Sequence, residues 1–388
     1  MNRPIIGIES FFYSLLTSII LIIYAIFFLP IVKRSFKIKS STRYNSLLVV
    51  ILLIFLAIML SLPFSDTGYY LYMPMSWYFI VVVGAVALVF VLVAGLSRRT
   101  TQEKEYVKEI SEGLDVTLNR SLQDTYKFTP KQEFYRKIFH LLAILYIATW
   151  VVQPIIFWGT NNVYTEIPNT VSAENLNNVA LLFEDTDVDQ ILINGLVTQF
   201  FMLLCIFIGN ANIEIMRIRF DEYNCVMKKT LQKTRRPTEI NDLSASLLLL
   251  LGLAFSSIIL TYGSDNRIEG VYAQMGVICI SVFSDMFAAL IGRKWGKHKW
   301  KIVPGKSFEG SIAGFIVGFV TATIFIGPIL ALIGSCLFVF TDIALDKVKI
   351  CDNALNPILI SVVFKVLITI SPLFVMNMID ILPFVRVW

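Results

Sequence analysis

Long apolar runs recur along this chain, and they constrain its fold more than any other feature. About ten of them approach the ~20 residues that cross a bilayer as a helix. They lie at roughly 10–32, 46–63, 76–96, 138–158, 191–209, 243–262, 271–291, 311–327, 329–345 and 357–376. Hydrophobic residues make up 56% of the sequence, which excludes an ordinary soluble domain. We therefore expect an all-α, polytopic helical bundle embedded in a membrane, with about ten spans.

The basic residues are distributed unevenly between the connections. Five connections share one side of the membrane in this arrangement and hold 29 of the 33 Lys and Arg residues: 33–45, 97–137, 210–242, 292–310 and 346–356. The connection 159–190 lies on the other side and carries six acidic residues with no Lys or Arg. Basic residues concentrate on the cytoplasmic side of membrane proteins. We therefore expect both termini on the non-cytosolic side of a plasma membrane or an ER-type membrane.

Three parts follow one another along the chain. We expect 1–96 to form a three-span accessory bundle, 97–137 a cytosolic segment, and 138–388 the catalytic membrane domain. In 97–137, apolar residues recur at spacings of three and four, which is typical of an amphipathic helix on a membrane surface. Within the third part, Gly327-Pro328 indicates either a tight turn between two spans or a kink in one helix.

The stretch 281–311 carries the densest polar chemistry. Asp285 lies within an apolar run, where a carboxylate costs roughly 2.5–3.5 kcal/mol on insertion scales and is functional by default. Glu309 follows a basic loop in which these residues occur: Arg293, Lys294, Lys297, His298, Lys299, Lys301 and Lys306. Magnesium is usually held by one or two carboxylates plus phosphate oxygens, and Lys and Arg supply countercharge. The stretch therefore suits a magnesium polyphosphate, although the basic loop alone fits a positive-inside connection equally well.

The small residues and the serines of this stretch have structural alternatives. Gly292 and Gly296 follow Asp285 at the spacing of close helix packing, which explains the glycines but not the acid. Ser307 or Ser311 can cap the next span, whose N-terminus favours anions. Glu309 is then either a first-turn partner of the helix dipole or a metal or base group. A P-loop is excluded because Trp300 stands where that motif needs glycine.

Two further clusters lie at the same predicted face. Arg136-Lys137-x-x-His140 opens the fourth span, where the alternative is a snorkelling anchor. Asp342 and Asp352-Asn353 lie near and at the predicted cytosolic mouth of the last two spans. Asp352-Asn353 ahead of Pro357 is typical of a turn, but its location on the same membrane face as Asp285 favours a metal site as well. Lys365 is a charge within the last span, and it requires a partner that the sequence does not identify.

With these residues in view, the chain resembles the CTP-dependent lipid-alcohol kinases: dolichol and polyprenol kinase, phytol kinase and the fungal-type diacylglycerol kinase. The resemblance covers about residues 130–360. It rests on Arg136-Lys137-x-x-His140; on Asp285 with Ala288, Gly292, Gly296 and Lys299; on Lys306-Ser307-x-Glu309-Gly310-Ser311; and on Asp352-Asn353-x-Leu355-x-Pro357. The two central elements also resemble CTP:phosphatidate cytidylyltransferase, whereas the first and last fit the kinases. Ser284 and Asn356 stand where the kinase pattern usually has Gly and often Thr.

The resemblance implies transfer of the CTP γ-phosphoryl group to the hydroxyl of a membrane lipid alcohol at the cytosolic face. It implies a magnesium ion held by Asp285 and Asp352, assisted by Glu309, with Asp285 or His140 accepting the hydroxyl proton. Phosphate contacts are implied for Arg136, Lys137, Gly292, Gly296, Lys299, Lys306, Ser307 and Asn353. The partners would be CTP, the lipid alcohol and the bilayer, with no nucleic acid.

Two alternatives stay open. A cytidylyltransferase acting on phosphatidate or a related lipid phosphate would use the shared elements for attack at the α-phosphorus of CTP. A non-enzymatic transporter would show paired half-helices or polar stripes along several spans. The polar residues gather at one face instead, which favours an enzyme.

Overall fold

The computed structural model describes residues 8–37, 43–61, 188–219, 243–261, 267–303, 305–348 and 350–370. In these ranges the chain is helical apart from short connections and one isolated bridge. The helices are α1 Ile8–Lys37, α2 Arg43–Ser61, α3 Val188–Arg219, α4 Ala245–Thr261, α5 Arg267–Ile278, α6 Asp285–Lys294, α7 Phe308–Val348 and α8 Asp352–Ile370. A π-helical turn, Cys279–Ser284, joins α5 to α6 without a break. The predicted spans 76–96 and 138–158 and the amphipathic segment 97–137 lie outside the described residues.

Among the described residues, five helical stretches are long and apolar enough to cross a membrane: Leu15–Lys37, Arg43–Ser61, Glu269–Lys294, Phe308–Val348 and Asp352–Ile370. Two shorter apolar helices, Met202–Ile215 and Ala245–Leu260, fall on the predicted spans 191–209 and 243–262. For the part of the chain that the structure describes, the prediction of an all-α, multi-pass integral membrane protein is confirmed. The total of ten spans and the sides of the two termini stay predictions.

The 41 residues of α7 form two antiparallel halves. At 1.5 Å per residue a straight helix of this length would reach about 60 Å, twice the hydrocarbon thickness of a bilayer. Gly327 instead adopts φ 74° and ψ 169°, a conformation that side chains rarely tolerate, and Pro328 follows it. A β-carbon at Gly314 would lie 3.3 Å from the ring of Phe338, and one at Gly318 would lie 3.3 Å from Ser335 Oγ. Gly327-Pro328 is therefore a tight turn rather than a kink.

The first half of α7 packs closely on α6 through small residues. A β-carbon at Gly310 would lie 2.6 Å from the carbonyl oxygen of Ala288 and 2.9 Å from Gly292 Cα. One at Gly314 would lie 2.9 Å from the carbonyl oxygen of Ser284. Glycine and alanine let two membrane helices approach to backbone contact, where dispersion and weak polar contacts stabilise the pair. This crossing positions Asp285 beside the helix that follows the basic loop.

Hydrogen bonds join the predicted cytosolic segments at one end of the bundle. Arg34 Nη1 donates to Ile218 O at 2.6 Å, which connects α1 to α3. Cys351 N–H donates to Asn45 Oδ1 at 2.8 Å, and Lys306 Nζ lies 3.5 Å from Asp352 Oδ2. Parts of four of the five basic connections thus meet at the same end, as the charge distribution predicts. The remaining connection, 97–137, lies outside the described residues.

Lys365 has a partner at the other end of the bundle. Its Nζ donates to the carbonyl oxygen of Leu260 at 3.3 Å, in the last turn of α4. The final carbonyls of a helix have no partner within the helix and carry partial negative charge, so an ammonium there is stabilising. Lys365 therefore has a structural role as the cap of α4.

Gly310→Ala tests the close crossing of α6 and α7. The added methyl group would collide with backbone atoms of Ala288 and Gly292, which have no rotamer to relieve the contact. We expect a lower midpoint of thermal unfolding in detergent, corresponding to a loss of about 1–3 kcal/mol of stability. Gly305→Ala is the matched control because a β-carbon there meets nothing within 4 Å. Equal midpoints for the two variants would contradict the crossing.

Candidate functional site

The chain between α6 and α7 is a folded loop rather than an extended connection. Trp300 N–H donates to Lys306 O at 3.1 Å, and Phe308 N–H donates to His298 O at 2.8 Å. These bonds flank the bridge between Lys299 and Ser307. Five basic side chains of the region are exposed: Arg293, Lys294, Lys297, Lys299 and Lys301. The doubled-back loop therefore presents its cations outward, while Lys306 turns toward the helices.

Lys306 contacts two carboxylates from two different helices. Its Nζ donates to Asp342 Oδ1 at 2.6 Å and to the carbonyl oxygen of Asp342 at 2.6 Å. Asp352 Oδ2 lies 3.5 Å from the same nitrogen. We name Lys306, Asp342 and Asp352 the lysine–aspartate cluster. It is the point at which the basic loop, the second half of α7 and the start of α8 meet.

The electrostatics of the cluster keep Lys306 charged. Burial lowers the pKa of the ammonium, but attraction to Asp352 and Asp342 outweighs burial and leaves that pKa above its ordinary value. The stability that this cation contributes is therefore fully present at and below its ordinary pKa. It is lost only as the pH rises through the raised value. Lys306 is thus a permanent cation near neutral pH.

Asp342 is the residue of the cluster whose role the sequence did not reveal. It lies in the last part of the second half of α7, directly after an apolar run, and is 7% exposed. The sequence grouped it with Asp352 at the mouth of the last two spans but gave it no function. The signal that could have found it is the same one that indicates Asp285, namely a carboxylate within an apolar run.

Glu309 and His298 hold the basic loop onto the start of α7. The backbone N–H of His298 donates to Glu309 Oε1 at 3.0 Å and Oε2 at 3.3 Å. His298 Nδ1 lies 2.6 Å from Glu309 Oε1. Glu309 also occupies the first turn of α7, where a carboxylate favours the helix dipole. These contacts give Glu309 a positioning role, and its contact with a metal ion stays a prediction.

Ser307 is the cap of α7. Gly310 N–H donates to Ser307 Oγ at 3.1 Å, which satisfies one of the N–H groups that a helix start leaves without a partner. A β-carbon at Gly296 would collide with the carbonyl oxygen of Gly292 and with Ser307 Oγ, so the loop closes tightly over the cap. Packing therefore accounts for Gly292, Gly296 and Ser307, while their contact with phosphate stays a prediction.

Asp285 begins α6 directly after the π-helical turn. A π turn inserts one extra residue into a helix and occurs frequently at functional sites. It ends here at Ser284, which is fully buried and whose Oγ has no hydrogen-bond partner. Asp285 itself is half-buried. The turn is a feature that no sequence pattern indicated, and it changes the face of the helix on which Asp285 lies.

The other predicted site residues lie outside the lysine–aspartate cluster or outside the described residues. Asn353 is buried in the first turn of α8, directly after Asp352, and Lys299 is exposed on the loop. Arg136, Lys137 and His140 lie outside the described residues, so their place in the site stays a prediction. The structure thus brings together Lys306 and Asp352 among the predicted residues and adds Asp342.

The cluster fits a magnesium ion that arrives with a polyphosphate. Among the described residues, no group of three or more His, Cys, Asp and Glu side chains could hold a metal ion alone. Magnesium, however, commonly takes one or two carboxylates and completes its shell with phosphate oxygens and water. Asp342 and Asp352 reach the same ammonium. When both carboxylates are ionised, they carry one negative charge more than the Lys306 ammonium neutralises. A divalent cation would compensate this excess negative charge.

Comparison with known proteins adds to this geometry. A 119-residue stretch is 32% identical to CTP-dependent diacylglycerol kinase 1 of Saccharomyces cerevisiae, covering 30% of this chain and 37% of the relative. The match thus spans little more than a third of that curated relative's length. No solved structure matches the chain. A family model described as Cytidylyltransferase family matches residues 135–374, which is more than half of the sequence. The chain therefore belongs to this cytidylyltransferase family.

Proposed function

We propose that the protein is a CTP-dependent kinase that phosphorylates the hydroxyl of a membrane lipid alcohol, with diacylglycerol as the first acceptor to test. The observation that carries the proposal is the lysine–aspartate cluster at one end of a membrane-embedded bundle. A half-buried cation beside two carboxylates suits a nucleotide polyphosphate with its metal ion. The name of the yeast relative supports the donor and the class of acceptor.

The proposed step is a phosphoryl transfer. The acceptor hydroxyl oxygen forms a bond to the γ-phosphorus of CTP, and the bond from that phosphorus to the β–γ bridging oxygen breaks. CDP leaves, and Asp285 or His140 accepts the hydroxyl proton. Proteins catalyse such transfers mostly by positioning the reactants and neutralising charge. Lys306 neutralises charge on the phosphates, and Lys299, Arg136 and Lys137 add further cations.

Asp342 and Asp352 would hold the magnesium ion, which neutralises phosphate charge when bound. Relative to the predicted set of Asp285, Asp352 and Glu309, this assignment takes Asp342 in place of Glu309, because the Glu309 carboxylate is held by His298. Asp285 stays a proposed metal ligand as well as a proposed proton acceptor. The cluster lies at the end where the basic connections meet, so we place it on the cytosolic side, where CTP is present. There a soluble nucleotide can meet a hydroxyl at the level of the headgroups.

The description of the matched family favours a second candidate, a CTP-dependent cytidylyltransferase. In that reaction a lipid phosphate oxygen attacks the α-phosphorus of CTP, and pyrophosphate leaves. Both reactions use the same nucleotide and the same countercharges, so the cluster alone does not separate them. They differ in which phosphorus atom enters the lipid.

Labelled CTP distinguishes the two reactions. Purified protein in lipid nanodiscs would be incubated with magnesium and with CTP labelled at either the γ- or the α-phosphorus, using diacylglycerol, a polyprenol and phosphatidate as acceptors. We expect γ-label in the lipid fraction with an alcohol acceptor and no transfer of α-label. Transfer of α-label to phosphatidate, without γ-transfer to any alcohol, would establish the cytidylyltransferase instead.

Lys306→Met tests the cluster. Loss of one preorganised positive group from a phosphate site lowers turnover by about 100-fold or more. We expect that loss in CTP-dependent lipid phosphorylation, measured on protein that remains monodisperse. Lys301→Met is the matched control because Lys301 is exposed on the same loop. We expect it to stay within about twofold of the unmodified protein. Full activity of the Lys306 variant would remove the cluster from the mechanism.

A further inference from the structure

Within the described residues, hydrogen bonds attach the α1–α2 hairpin to α3 and to the start of α8. Tyr24 Oη donates to Asn212 Oδ1 at 2.8 Å, and Arg34 Nη1 donates to Ile218 O at 2.6 Å; both acceptors belong to α3. A further bond joins the hairpin to the start of α8 instead of α3. Cys351 N–H donates to Asn45 Oδ1 at 2.8 Å, and Cys351 is the residue immediately before α8.

The bond from Cys351 N–H to Asn45 Oδ1 caps the N-terminus of α8. Cys351 occupies the N-cap of α8, and the N–H group of an N-cap has no acceptor within its helix. In many helices a Glu or Gln at the third helical position reaches back to accept that N–H. In α8 the third position is Ala354, whose side chain has no acceptor. Asn45, 306 residues away in the chain, supplies the missing oxygen.

The bond acts on the lysine–aspartate cluster through one covalent step. Asp352 directly follows Cys351, and its Oδ2 lies 3.5 Å from Lys306 Nζ, compared with 2.6 Å for Asp342 Oδ1. Asp352 is thus the carboxylate farther from the ammonium, and the turn that carries it sets its position. Asn45 is 7% exposed, so water has little access to replace it as the acceptor.

We propose that Asn45 is a positioning residue for the site: it caps α8 from the N-terminal hairpin and thereby holds Asp352 where it acts with Lys306 and Asp342. The proposal rests on the proposed kinase function for its kinetic consequence. It assigns a role to part of 1–96, the region that the family model does not match. Asn45 touches neither nucleotide nor acceptor in this account.

Two substitutions of similar shape isolate the acceptor oxygen. Asn45→Leu removes it, whereas Asn45→Asp retains it and places a negative charge at a helix N-terminus, which is favourable. Ser46→Ala is the matched control, since Ser46 lies in the same turn, is fully buried and has a hydroxyl without a hydrogen-bond partner. The full-length variants would be assayed in nanodiscs with CTP, magnesium and diacylglycerol.

We expect Asn45→Leu to lower kcat/KM for CTP by about 10- to 100-fold while the KM for diacylglycerol stays unchanged. Asn45→Asp and Ser46→Ala should remain within about threefold of the unmodified protein. Two results would overturn the proposal. The first is an Asn45→Leu variant with unchanged kinetics. The second is a defect that Asn45→Leu and Asn45→Asp share and that affects the kinetic constants for CTP and for diacylglycerol equally. The second result would indicate a purely structural role.

A second readout does not depend on activity. In a background with Cys205, Cys225, Cys279 and Cys336 replaced by serine, a water-soluble maleimide would label the thiol of Cys351. Loss of the cap opens the turn, so we expect Asn45→Leu to label at least about threefold faster and Asn45→Asp to label at the background rate. Equal rates for all variants would overturn the proposal.

If the unmodified protein phosphorylates no alcohol, the kinase proposal fails, and labelling alone decides the role of Asn45.

Discussion

The ammonium of Lys306 is the interaction on which the rest of the site depends. It joins three segments that are far apart in the sequence: the basic loop, the second half of α7 and the first residue of α8. A charge removed from water is costly unless a partner of opposite sign compensates it. Lys306 therefore requires Asp342 and Asp352 nearby, and they in turn require it. This compensation holds the cation and both carboxylates together at the end of the bundle where the basic connections meet.

Helix packing in the membrane brings these groups together. The small residues of α6 and α7 allow backbone contact, which places the loop over the cap at Ser307. The turn at Gly327 then returns the chain, so that Asp342 lies level with the loop from which α7 began. The helix crossing and the turn are both local features. Together they bring polar side chains to one end of a largely apolar bundle. Under the proposed function, this arrangement would let a soluble nucleotide and a lipid hydroxyl meet at one surface.

Part of this site could be predicted from the sequence, for physical reasons that differ by residue. The spans and the shared end follow from hydropathy and charge, which the membrane imposes on each segment separately. Lys306 and Asp352 were recognised because their neighbours match a pattern. Three contacts depend on tertiary structure that no local spacing encodes. They are the ion pair of Lys306 with Asp342, the hydrogen bond from His298 to Glu309, and the hydrogen bond from Cys351 to Asn45. The π turn before Asp285 likewise has no sequence signature, because the run around it is too uniformly apolar for the shift of one inserted residue to be visible.

A cryo-EM structure of the full-length protein in a nanodisc with CTP and magnesium would show whether Lys306 and its two aspartates bind the nucleotide. We expect phosphate density in contact with Lys306 and a magnesium ion bound to Asp342 or Asp352, all at the end where the basic connections meet. Nucleotide bound elsewhere, with Lys306 still paired to both carboxylates and no ion between them, would contradict this expectation.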